Sequence, residues 1–64
     1  MNDMDSFLTP KEVAKILKVN YRKVLDLIVG GELKAYRVGR MFRIPRRELQ
    51  RYLRSVRVET PWEN

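Results

Sequence analysis

The chain has 64 residues, 14 Lys+Arg against 8 Asp+Glu, and neither Cys nor His. That length holds one small domain, and the missing residue types exclude a disulfide framework, a thiolate zinc site, a thiol nucleophile and the usual histidine base. The longest apolar run, Leu27-Ile28-Val29, is far short of the ~20 residues that cross a bilayer, so the expectation is a binding protein with no enzymatic activity and no membrane partner. The opening MNDMDS is polar and acidic, unlike a signal peptide, which together with the lack of cysteine points to the cytoplasm.

Residues 1–7 read as a tail. The first element is announced by Thr9-Pro10-Lys11-Glu12. Thr9 and Glu12 have the spacing of a capping box, and Pro10 at the first helical position gives up no needed donor. Val13, Ile16 and Leu17 repeat at i, i+3, i+4 behind it, with Lys11, Lys15 and Lys18 opposite. A helix is predicted over 10–17. After a short turn, Asn20 is a favoured N-cap type, and Val24, Leu27 and Ile28 repeat the same stripe until Gly30-Gly31. This predicts a second helix over 21–29, and the pair has the form of a helix-turn-helix.

After the glycines the period changes. Two short runs, 34–38 and 41–44, flank Gly39-Arg40, where a glycine in first position suits a II′ hairpin turn. That turn sets Arg37 against Phe42 and Ala35 against Ile44 on one face, and Tyr36/Arg43 and Val38/Met41 on the other. Pro45 closes the strand. A third helix follows over 46–56, with Leu49, Tyr52, Leu53 and Val56 along one side and Arg47, Arg51 and Arg54 along the other. Its start has no Ser, Thr, Asp or Asn cap. Residues 57–64, including Trp62, read as a second tail. The expected architecture is α+β, mainly α: a small winged helix-turn-helix over 8–56. Its expected core is Val13, Ile16, Leu17, Val24, Leu27, Ile28, Leu33, Ala35, Ile44, Leu49, Tyr52 and Leu53, with Phe42 on the inner hairpin face.

Charge is placed unevenly. Residues 1–33 balance to zero, whereas residues 34–57 carry Lys34 and eight arginines against Glu48 alone, a net of +8. Arginine suits bidentate phosphate and guanine contacts, and a one-signed block points to a polyanionic partner, nucleic acid first. In a helix-turn-helix the start of the second helix faces base edges in the major groove. Here that start carries Asn20, Tyr21, Arg22, Lys23 and Asp26. Arg22 or Lys23 suits guanine and Asp26 suits cytosine N4. Asn20 suits adenine but is first a cap, and Asp26 serves equally as an i, i+4 partner of Arg22. On the hairpin, Arg37, Gly39, Arg40 and Arg43 form the second group, suited to a narrow minor groove or the backbone.

The run from Leu8 to Leu53 resembles the excisionase-type, MerR-like winged helix family. The resemblance rests on Leu8-Thr9-Pro10-x-Glu12-x-Ala14, Val24 with Leu27-Ile28, Gly31-x-Leu33, Ala35, Val38-Gly39-Arg40, Phe42-Arg43-Ile44 and Glu48-Leu49. It implies sequence-specific binding to double-stranded DNA, with the second helix in the major groove and the Arg40 wing at the adjacent minor groove, and contact roles for Arg22, Lys23, Arg37, Arg40 and Arg43. It also implies an architectural role as an excisionase or recombination directionality factor, with an integrase or further copies of the chain as partners. A minimal MerR-like transcriptional regulator is the alternative, and a protein-interaction module ranks below both. No cofactor, metal or small-molecule ligand is expected. Two positions depart from the family: Lys18 stands where many relatives have Gly, at a cost of about 1 kcal/mol if left-handed, and Asn20 where Ser or Thr is usual.

Overall fold

The computed structural model describes residues 7–59; the expected tail residues 1–6 and 60–64, the latter with Trp62, lie outside them. The elements run β1 (Phe7–Leu8), α1 (Pro10–Leu17), α2 (Tyr21–Val29), β2 (Tyr36–Val38), β3 (Met41–Pro45) and α3 (Arg46–Ser55). Three helices and a three-stranded antiparallel sheet of order β1-β3-β2 make the small winged helix-turn-helix.

Local chemistry explains each boundary. The capping box at α1 is complete: the Glu12 N–H donates to Thr9 Oγ1 at 3.1 Å, and the Thr9 N–H donates to Glu12 Oε1 at 2.8 Å. At the other end Lys18 is left-handed, φ 57° and ψ 43°. The Val19 N–H reaches the Ala14 carbonyl at 3.1 Å and the Lys18 N–H the Lys15 carbonyl at 3.3 Å, a Schellman closure built on a lysine. Because a Cβ in this region is strained, Lys18→Gly should raise stability by about 0.5–1 kcal/mol, read as a higher urea midpoint at unchanged m-value.

The Asn20 side chain caps α2 by accepting the Lys23 N–H at 2.8 Å. The paired glycines that end this helix divide the work. Gly30 keeps a right-handed φ of −75°, while Gly31 takes φ 84° and lets the Glu32 N–H close on the Leu27 carbonyl at 3.0 Å. In the hairpin, Tyr36 pairs Arg43, Arg37 pairs Phe42 and Val38 pairs Met41, the predicted register. Gly39 has φ 64° and Arg40 is not left-handed, the pattern of a II′ turn.

Several features differ from the expectations. The first strand of the hairpin begins at Tyr36 rather than residue 34. In this register Lys34 stands opposite Pro45, which has no N–H to donate to the ladder. On the other edge Pro45 extends β3 by one residue and pairs with Phe7. The third helix ends at Ser55, one residue early, because Val56 leaves helical space at φ −110° and ψ 12°. As expected, its N-cap (Pro45) makes no side-chain hydrogen bond.

The strand Phe7–Leu8 has no counterpart in the sequence reading, which starts the domain at residue 8. Leu8 pairs with Ile44 and is buried. The core comprises Leu8, Val13, Ala14, Val24, Leu27, Leu33, Ile44 and Leu49, with Leu17, Ile28, Ala35 and Tyr52 packed against it. Ile16 and Leu53, expected inside, are 49% and 41% exposed. The buried stripe of α1 runs Pro10, Val13, Ala14, with half-buried Leu17 next, so Ile16 falls at its edge. On α3 the inward line is Leu49 and Tyr52, and Leu53 sits one position round from it.

Candidate nucleic-acid interface

The helix-turn-helix and the hairpin converge on one groove of about 610 Å³. Lys11 at the start of α1, Tyr21 and Leu25 on α2, and Arg40, Phe42 and Arg43 on the hairpin all line it. Its walls thus mix apolar surface with three cations. Lys11 from α1, Tyr21 and Leu25 from α2 and Arg40 from the hairpin turn all border it, so the three elements meet there.

The candidates on α2 divide. Asn20 is committed to capping, with its side-chain oxygen on the Lys23 N–H. Tyr21 is 45% exposed at the groove. Arg22, Lys23 and Asp26 are exposed. The Arg22 Nε–H donates to Asp26 Oδ1 at 3.4 Å, and the two side chains are 83% and 64% exposed. A solvated i, i+4 pair of this kind is worth only about 0.3–0.5 kcal/mol, so a base edge or phosphate can replace Asp26 at small cost.

On the hairpin, Gly39 serves the turn through its backbone: a Cβ there would meet open space, so positive φ alone demands glycine. Arg40 stands at the tip and on the groove wall. The Arg43 guanidinium folds back, donating to the Phe42 carbonyl at 2.9 Å and approaching Met41 Sδ at 3.5 Å. Arg37 lies 5.4 Å from the centre of the Phe42 ring, a cation–π contact. It does not line the groove, unlike Arg40 and Arg43. Phe42 is half-buried rather than fully inside, one side under Arg37 and another lining the groove. Tyr36, on the outer face, is 54% exposed and meets Phe7 edge-on at 6.1 Å.

Lys11 and Leu25 belong to the groove but not to the sequence-derived set. Lys11 is exposed, as its lysine face suggests, and only the packing of α1 against the hairpin shows that it borders the groove. Among the described residues no three His, Cys, Asp or Glu side chains cluster to hold a metal, and no helix is long and apolar enough to cross a membrane.

The uncharacterized protein YvgK of Bacillus subtilis is 44% identical over 61 residues, 95% of this chain and 20% of the relative. The chain therefore spans about a fifth of that relative's length. No solved structure matches. A helix-turn-helix domain family model matches residues 7–57, from the first strand to just beyond the third helix. The chain belongs to this helix-turn-helix family of excisionase-like DNA-binding domains.

Proposed function

We propose that the protein binds double-stranded DNA sequence-specifically, with the exposed face of α2 in the major groove and the hairpin tip on the adjacent backbone and minor groove. The observation that carries this reading is the shared groove: Lys11, Arg40 and Arg43 border it together with Tyr21 at the start of α2. Arg22 and Lys23 read bases or neighbouring phosphates, with Asp26 accepting from cytosine or steering Arg22. Asn20 acts through its cap, which fixes the first turn of α2. Arg40 meets phosphate or the minor groove, Gly39 lets the backbone approach, and Arg37 and Arg43 supply positive field from the hairpin flanks. Such a site binds rather than catalyses.

Within that activity the protein acts architecturally, as an excisionase-type directionality factor that occupies repeated sites and bends DNA, with an integrase or further copies of itself alongside. The family supports this reading. The same helix-turn-helix fold also serves a second reading, a minimal MerR-like transcriptional regulator without an effector domain. Selection of bound sites from random duplexes, followed by footprinting and a bend assay on the enriched sequence, separates them. Repeated, cooperatively filled and bent sites support the excisionase role; a single unbent site supports the regulator. Failure to enrich any sequence contradicts specific DNA binding altogether.

A further inference from the structure

The arginines of α3 have no part in the groove. Arg47, Arg51 and Arg54 recur at i, i+4, i+7 and are all exposed. Of these three, among the described residues, only Arg51 has a carboxylate partner, Glu48 at 3.9 Å, and the Glu48 side chain is only 16% exposed. The outward face of this ten-residue helix is therefore positive almost without dilution. Like charges one turn apart weaken a helix, and α3 has no side-chain N-cap to offset them. A surface built only for solubility mixes both signs. Here one sign dominates, and it is carried by the side chain whose fork matches phosphate.

The position of this face is fixed by the chain. Pro45 ends β3 and Arg46 begins α3 with no linker between them. From Met41, beside the hairpin tip, to Pro45 the strand spans about 13 Å, or about four base-pair steps along a duplex. The helix then carries its arginines onward, and none of them lines the groove shared by α2 and the hairpin.

We infer that the arginine face of α3 is a second, sequence-independent contact, meeting backbone phosphates of the same duplex outside the stretch covered by α2 and the hairpin. This rests on the DNA-binding reading above. The contact adds affinity and salt dependence without adding base preference. It also lengthens the footprint on one side.

The test uses the full chain and the double substitution Arg47→Gln/Arg54→Gln, which keeps good helix formers at both positions. Binding is measured by fluorescence anisotropy across a salt series, on random-sequence duplexes of about 12 and about 40 base pairs, the shorter little more than one helical turn. On the long duplex the slope of log K against log salt should become shallower by about 2, with affinity on the order of tenfold lower at 0.1 M salt. On the short duplex the double variant should match the wild type. Each single substitution should remove about half of the slope change. An unchanged slope on the long duplex overturns the inference and leaves the face to an acidic protein partner. An equal loss on both lengths places α3 inside the primary footprint and also overturns it. Two differently labelled short duplexes brought together by the wild type, and not by the variant, would assign the face to a second duplex instead of the flank. Arg40→Ala is the control for the underlying reading: it should weaken both lengths, and if it weakens neither, DNA binding by the hairpin fails first.

Discussion

Ile44→Ala should abolish cooperative folding near 25 °C. Ile44 is fully buried, pairs with Leu8 across the β1–β3 ladder, and lies in the core cluster with Val13, Val24 and Leu33. Truncating such a side chain costs about 2–5 kcal/mol, in part because the cavity left behind collapses only partially. A domain of this length has a total stability of only about 3–5 kcal/mol, with neither disulfide nor zinc to add to it. The conservative Ile44→Val should cost about 0.5–1.5 kcal/mol and leave a cooperative melt, lowered by about 4–8 °C for each kcal/mol lost. Circular dichroism melts of the two variants check the pair. An Ile44→Ala protein that melts like the wild type would contradict the placement of the core.

Arg40→Ala and Arg22→Ala should separate affinity from specificity. Arg40 stands at the hairpin tip on the groove wall, and the proposed function has it meet phosphate or a narrow minor groove. Its loss should weaken binding to every duplex alike and lower the salt slope by about 1. Arg22 projects from the first turn of α2 with its side chain 83% exposed, restrained only by Asp26 at 3.4 Å. As a base reader its removal should relax preference at one position, costing about 1–3 kcal/mol on the preferred sequence and much less on others. Competition binding against single-base variants of a selected site distinguishes these outcomes. Uniform loss from both substitutions would make Arg22 a phosphate contact. No loss from either would remove this face of the molecule from the interface.

What the chain states locally, the fold repeats. The Thr9–Glu12 box, the Asn20 cap and the hairpin register each depend on residues within about ten positions, where capping and turn chemistry are strong enough to decide the outcome. Lys18 is an instructive case: its left-handed conformation follows from where the turn must fall, even though lysine does not favour it. The strand at Phe7–Leu8 was not legible because two residues carry no periodicity. It exists only through a partner, Ile44–Pro45, that lies far along the chain. The inward face of each helix was legible to within one position, and the errors, Ile16 and Leu53 expected inside and Ala14 left out, are stripe-edge residues whose fate is decided by neighbouring elements. Of the proposed interface, the α2 start and the hairpin tip could be named from motif and charge. Their meeting in one groove with Lys11 and Leu25 depends on how α1 packs against the hairpin, and no local pattern encodes it.

In the proposed complex the exposed start of α2 and the Arg40 hairpin tip engage the same duplex together. Amide chemical-shift mapping during titration with a selected duplex tests it most directly. The largest changes are expected at residues 20–26 and 37–43, with a further change at Lys11, all saturating at one stoichiometry. Changes confined to other parts of the chain, with both of those segments unmoved, would contradict it.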